Sequence, residues 1–271
     1  FDCSKLDQWE IVFEHASDLG ILLHVVLQET ENERLLDNGD TGLHRKLYLR
    51  ELVARFAHHP AVCWNIGEEN GPANFSPDGQ TTAQQKAMAA WLKTVNPYPN
   101  YVVVHTHAAP EFRYQVVRPL LGDPAFDGLS LQLHPHAAGS ETAYWRHASD
   151  SAGQPWVVMV DEIGPYYQGA DHDSKPDNNQ DSIRQQVLWP NLMNGGSGVE
   201  WYFGYKNPHA DLELEDFRSR DRLFGFTGHA IRFFEQHVPV DKMQPMQTGQ
   251  AGVYALQQPG EQYLFYFSDL F

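Results

Sequence analysis

The sequence predicts an α/β chain built on a parallel sheet, of the (β/α)8 TIM-barrel class, followed by the start of a β-domain. Three observations predict it. Six short apolar runs recur along the 271 residues, amphipathic segments of helical period separate most of them, and after His237 the pattern changes to closely spaced short strands. Several runs are apolar throughout rather than alternating, as strands covered on both faces must be. Strand–helix alternation of this kind means a parallel sheet.

The chain opens on a helix. Ser4 and Asp7 form an S-x-x-D start, and Trp9, Val12, Phe13 and Ala16 follow at i, i+3, i+4 and i+7. The first strand is placed at residues 21–28. Leu49, Leu52, Val53 and Phe56 then mark a helix before the second strand at 61–66. Met88, Trp91, Leu92 and Val95 mark another before the third at 101–105. The fourth and fifth strands fall at 129–133 and 156–160, and the most polar loop, 171–181, follows. Ser182 and Gln185 offer a capping box ahead of Ile183, Val187 and Leu188, in a helix that Pro190 should end or bend. The sixth strand is placed at 199–203.

Barrel units average about 31 residues if eight fill roughly 250. Six strands with their helices occupy residues 1–237, so two units are expected to lie before Phe1. Residues 253–256 and 262–267, joined across Pro259-Gly260, read as a hairpin. The expected organisation is therefore a partial barrel over 1–237 and the truncated opening of a β-sandwich domain over 238–271.

A formal charge of -16, from 35 acidic and 19 basic residues, argues against nucleic acid as a partner, because phosphates would be repelled. A neutral polymer suits such a surface. No apolar run approaches the roughly 18 residues of a membrane helix. Cys3 and Cys63 do not make a disulfide framework, and Cys63, in an apolar strand, reads as a buried inert thiol. No signal-peptide pattern precedes the first helix, which is uninformative in a sequence without an initiator Met.

Working residues of such barrels lie at the C-terminal ends of the strands. Those ends carry Glu29 and Glu31, then Asn65, Glu68 and Glu69, then His105 and His107, then Gln132, His134 and His136, then Asp161 and Glu162, and finally Trp201, Tyr202 and Tyr205. Carboxyls, imidazoles and flat rings on one rim are what sugar chemistry needs. The pairs His105-x-His107 and His134-x-His136 also have metal-ligand spacing, yet sugar-binding or packing roles are the preferred reading. Asp171, Asp173, Asp177 and Asp181 lack the EF-hand pattern. Neither a metal nor a cofactor is expected.

The segment FAHHPAVCWNIGEE at 56–69 resembles the fourth-strand region of the clan A retaining glycoside hydrolases, where a helix leads into a strand reading W-x-h-G-N-E. PWVVMVDEIG at 155–164 resembles the clan's seventh strand. The chain is most similar to a bacterial group of uncharacterised barrel proteins with an Ig-like domain before the barrel and a collagen-binding-type β-domain after it. LQETEN at 27–32 and NLMNGG at 191–196 are typical of that group.

The resemblance spans about residues 1–267 and implies that the six strands are the third to eighth of the barrel. It also implies a retaining O-glycosyl hydrolase with a carbohydrate substrate, in a secreted, periplasmic or cell-surface setting. By position it puts the acid/base on Glu69 and the nucleophile on Glu162. Glu68 stands where the clan has the Asn that binds the sugar 2-hydroxyl. Strand alternation leaves open which of Glu68 and Glu69 points inward, since bulges are common at barrel rims. Gln132 or His134 stands near the clan's aromatic partner of the nucleophile. Asn65, Glu68, His105, His107, His134, Trp201, Tyr202 and Tyr205 are the expected substrate-binding residues. The alternatives are a carbohydrate-binding barrel without turnover and a metal-dependent hydrolase using the His pairs.

Overall fold

The computed structural model describes residues 2–210 and 216–268. Six strands are present: β1 (Leu23–Val26), β2 (Val62–Asn65), β3 (Tyr101–His105), β4 (Gly128–Leu133), β5 (Val157–Ile163) and β6 (Gly198–Val199). They follow one another in chain order in one sheet, and every described pairing is parallel. Helix α1 (Cys3–Asp18) precedes β1, and between the strands run α2 (Leu43–Phe56), α3 (Thr82–Val95), α4 (Pro110–Val117), α5 (Ala138–Ser151), α6 (Gln180–Ile183) and α7 (Trp189–Met193), with α8 (Asp221–His237) after the last. Adding each strand beside its predecessor through a helix is the construction of a (β/α)8 barrel.

By its internal contacts the chain divides into two compact units, residues 1–130 with 149–156 and residues 131–148 with 157–271. In the first, β2 is buried along its whole length, and so is β3 beyond Tyr101. Leu49, Leu52, Val53 and Phe56 of α2 and Met88, Ala89 and Leu92 of α3 pack there, and all are buried. Each large apolar side chain so covered contributes about 1.5–3 kcal/mol. The expected apolar stripe of α1 is not buried: Trp9 and Val12 stay half exposed, while Phe13 sets its ring edge-on to Phe56 at 4.9 Å. The cap of α1 is Asp2 rather than Ser4. Asp2 is extended and its carboxylate accepts the N–H groups of Ser4 and Lys5, whereas Ser4 is already helical.

The second unit differs from the sequence expectation at three places. β5 runs through Asp161, Glu162 and Ile163, so Glu162 lies within the strand and not after it. β6 is only two residues long. Glu200 N–H still reaches the Val160 carbonyl (2.9 Å), but Tyr202 O then accepts from Ala170 and Tyr205 N–H donates to Tyr166 O, so residues 201–205 bond to the loop after β5. The helix expected to start at Ser182 begins at Gln180, after Asn179, without a side-chain cap. It continues past Pro190 through a π-helical turn at Arg184–Leu188, a widening that accommodates the missing proline donor.

An antiparallel sheet of β7 (Gln244–Met246), β8 (Val253–Gln258) and β9 (Gln262–Phe267) follows α8. β8 and β9 are the expected hairpin, with Gln258 opposite Gln262. β7 was not legible because Pro245 occupies its centre, which suits only an edge strand. Among the described residues no helix is long and apolar enough to cross a membrane.

Candidate active site

In the first unit the chain leaves β2 through Gly67-Glu68-Glu69-Asn70. Gly67 is required there, since a Cβ would lie 2.7 Å from Asn70 Nδ2 and 2.9 Å from Gln28 Cγ. Asn65, fully buried, fixes the turn: its Oδ1 accepts the N–H groups of Gly67 (3.1 Å) and His105 (3.2 Å), and its Nδ2 faces His24 Nε2 at 3.1 Å. Glu68 and Glu69 are half-buried. Glu69 has φ +41°, in the left-handed region, which costs a non-glycine residue about 1–2 kcal/mol. Both neighbours are pinned. Glu68 N–H donates to Gln28 O (3.0 Å) and Glu68 O accepts from Thr30 Oγ1 (3.2 Å). Asn70 donates to Gln80 Oε1 (3.0 Å) and accepts from Gln85 Nε2 (2.7 Å). The strain therefore persists because the surroundings over-determine the conformation.

Behind this turn lies a buried polar network absent from the sequence reading. Glu33, 1% exposed, accepts the N–H of Gly71 (3.0 Å) on one oxygen and that of Gln80 on the other, closing the 71–80 loop at both ends. Arg45 donates to the Gln28 side chain and to the carbonyls of Glu33 (2.6 Å), Leu36 (3.1 Å) and Asp40 (3.1 Å). Gln80 ties in Gln28 (2.5 Å) and the Gly39 carbonyl (2.7 Å). Burial raises the Glu33 carboxyl above its usual range, against the pull of its two N–H donors.

His105 and His107, at the end of β3, are buried. The His107 ring lies edge-to-face with Phe75 (5.7 Å) and Phe112 (6.0 Å), with the Gly71 backbone as its hydrogen-bonding neighbour. Burial, and next the neighbouring His105 imidazole, hold its pKa down to about 4. The ring is neutral at pH 7.

In the second unit Glu162 is buried near the end of β5, on the opposite face from its neighbour Asp161. Gly164, at φ +75°, turns the chain where a Cβ would run into Gln168. Its N–H donates to Leu133 O (2.7 Å) and its carbonyl accepts from Gln132 Nε2 (3.1 Å). Tyr166 and Tyr167 follow, both exposed, their rings perpendicular at 5.3 Å with Lys206 Nζ 5.4 and 5.6 Å from the two centroids. Tyr202 donates its hydroxyl to Tyr166 O (2.7 Å), and the exposed Tyr205 ring sits 6.0 Å from it. Trp201 is buried, its indole N–H donating to Thr227 of α8 (2.8 Å). His134 is exposed and stacks on His136 at 6.0 Å. A cleft of about 310 Å³ is lined by Tyr167, Gln168, Asp171, Lys175, Asn179 and Asn207 among others. Tyr166 and Tyr167 were not among the expected residues; their signal was a tyrosine doublet directly after the fifth strand end.

The polar loop closes on bonds of its own and one from α8. Asp171 accepts from Lys175 (2.6 Å) and Asn179 N–H (3.1 Å), Asp173 from Gln180 (2.7 Å), and Asp181 from Arg222 (2.5 Å). Among the described residues, no group of three metal-ligating side chains includes His105, His107, His134 or His136.

No protein-family model and no curated protein matches the chain. Solved structures do. A candidate glycoside hydrolase from Bacteroides vulgatus ATCC 8482 is 16% identical with a TM-score of 0.62, over 97% of this chain and 48% of that one. A family 5 glycoside hydrolase from the same organism is 15% identical with a TM-score of 0.63, over 93% and 59%. A third, described as a glycoside hydrolase, is 15% identical with a TM-score of 0.59, over 93% and 61%. The chain thus spans 48–61% of the length of these structures. At such identities the likeness shows the fold, which is the barrel fold of glycoside hydrolases.

Proposed function

We propose that the protein is a retaining glycoside hydrolase acting on a poly- or oligosaccharide, with Glu162 as nucleophile and Glu69 as acid/base. The observation that carries the reading is the backbone of Glu69. A carboxylate residue held in the left-handed region at a barrel strand end, between two pinned neighbours, spends conformational energy to aim one side chain. The left-handed backbone also favours Glu69 over Glu68 in that role.

In the first step the Glu162 carboxylate attacks the anomeric carbon while Glu69 gives its proton to the leaving oxygen. In the second, Glu69 takes a proton from water, which attacks the same carbon and releases Glu162 with the configuration retained. The chemistry requires carboxyls about 5–5.5 Å apart. Glu68 and His134 meet sugar hydroxyls in this reading. Tyr166, Tyr167 and Tyr205 offer ring faces, with Tyr202 hydrogen-bonded to the Tyr166 carbonyl and set against Tyr205. Asn65, His105, His107 and Trp201, all buried, act from behind by fixing the turn and the loops.

Hydrolysis of a panel of aryl glycosides and polysaccharides tests the proposal, with wild type, Glu69→Gln, Glu162→Gln and a chelator-treated sample. Turnover that survives the chelator and falls at least about 10³-fold in both variants supports it. Activity lost to the chelator and kept by both variants points instead to a metal-dependent hydrolase. Binding without turnover in every sample points to a carbohydrate-binding barrel.

A further inference from the structure

The turn between α2 and β2 carries a second cluster, within the first unit and unused by the proposed chemistry. Glu10 Oε1, on α1, lies 3.1 Å from His58 Nε2 and 3.4 Å from His59 Nε2. His59 is 4% exposed, and its Nε2 makes no hydrogen bond. Its other nitrogen, Nδ1, is 3.2 Å from Ser17 Oγ, and Phe13 sets its ring edge-on at 5.9 Å. The ring is thus held from two sides with one nitrogen directed at a carboxylate too far away for a good hydrogen bond.

We infer that Glu10, His58 and His59 form a binding site for a divalent cation of the zinc class, which fastens α1 to the α2–β2 turn. Zinc–ligand bonds of about 2.0–2.1 Å in a tetrahedron set the donor atoms about 3.3–3.4 Å apart. The Glu10–His59 separation matches that edge, and all three donors lie within 4.8 Å of one another. Two imidazoles and one carboxylate are a borderline-soft donor set that suits zinc rather than calcium or magnesium. Ser17 supplies the outer-shell partner that metal-binding imidazoles use: with the proton on Nδ1, the Nε2 lone pair faces Glu10. The His58 ring, stacked on His59 at 4.4 Å and 29°, has a half-exposed side chain, so it completes the set by rotation alone. Solvent supplies the fourth ligand on that open side. Both histidines also lie just past the C-terminus of α2, the helix end that favours a cation. The fastening has a structural use, since α1 buries none of its own side chains.

The test is a titration of the chelator-stripped protein with ZnCl2 and with CoCl2, run on wild type, Glu10→Gln, His58→Gln and, as a control, His44→Gln. His58 and His44 are surface side chains, and Glu10 is only partly covered, so these variants should fold. Expected are one equivalent of ion bound, visible Co²⁺ bands of tetrahedral intensity, and a Tm raised by about 3 °C or more at saturating zinc. Affinity should fall at least about 10-fold in Glu10→Gln and His58→Gln and not in His44→Gln. Two results overturn the site. One is the absence of Co²⁺ bands and of any Tm shift at millimolar ion, which leaves a hydrogen-bonded ion-pair cluster only. The other is wild-type affinity in both cluster variants, which places the bound ion on other histidines.

Discussion

Acid sensitivity of the first unit should trace largely to His107. The perturbation is His107→Leu, which removes the titrating ring and keeps an apolar side chain against Phe75 and Phe112. The folded protein holds this imidazole at a pKa of about 4, chiefly by burial, whereas an unfolded chain returns it to about 6.5. Between those values the unfolded state binds a proton that the folded state does not, so stability rises with pH across the window. The wild type therefore keeps the full contribution above about pH 6.5 and loses it as pH falls towards 4. The gap between about 6.5 and about 4 amounts to about 3.5 kcal/mol. His107 is 1% exposed, so solvent screening removes little of this. Urea unfolding at pH 4.5, 6 and 8 measures it. Relative to wild type, the Leu variant should gain about 2–3 kcal/mol on going from pH 8 to pH 4.5. At pH 8 its stability should lie within about 1 kcal/mol of wild type, because removing a buried polar ring offsets the lost contact with the Gly71 backbone. Parallel pH profiles for the two proteins would refute the assignment.

Three further outcomes follow from the site geometry. Glu33→Ala leaves the N–H groups of Gly71 and Gln80 buried without their acceptor, and should lower stability by about 3 kcal/mol or more, read from the urea midpoint. Glu69→Asn puts a residue that tolerates the left-handed region at φ +41°, so stability should rise by up to about 1 kcal/mol while hydrolysis collapses. A loss of stability in that variant would show that Glu69 is not strained. Tyr166→Ala and Tyr167→Ala, at exposed positions, should raise KM for an oligosaccharide about 5- to 10-fold with Tm unchanged.

The parallel strands were legible because burial on both faces leaves continuous apolar runs, as at residues 62–64 and 102–104. Helices α2 and α3 were legible from spacing alone, since Leu49, Leu52, Val53 and Phe56 of the one and Met88 and Leu92 of the other meet the core. Segment 199–203 misled because Val, Trp, Tyr and Phe read as a strand, while the hydrogen bonds of Tyr202 and Tyr205 go to the loop after β5. The capping residues also misled, because Asp2 and Ser4 are both good caps and only the backbone angles choose between them. At the candidate site, the carboxyls stand out as charges ending apolar strands. The Glu33–Arg45–Gln80 network does not, because its partners lie 5 to 52 residues apart and no local period marks them. The strain at Glu69 is likewise a backbone property that no residue type announces.

The two-carboxylate mechanism is tested most directly by trapping its intermediate. The protein is incubated with the 2-deoxy-2-fluoro form of whichever activated glycoside it hydrolyses, digested, and its peptides are weighed and fragmented. One sugar per chain, attached to Glu162 and released more slowly in Glu69→Gln, is the predicted result. Turnover that inverts the anomeric carbon with no adduct, or an adduct on Glu68 or Glu69, would contradict it.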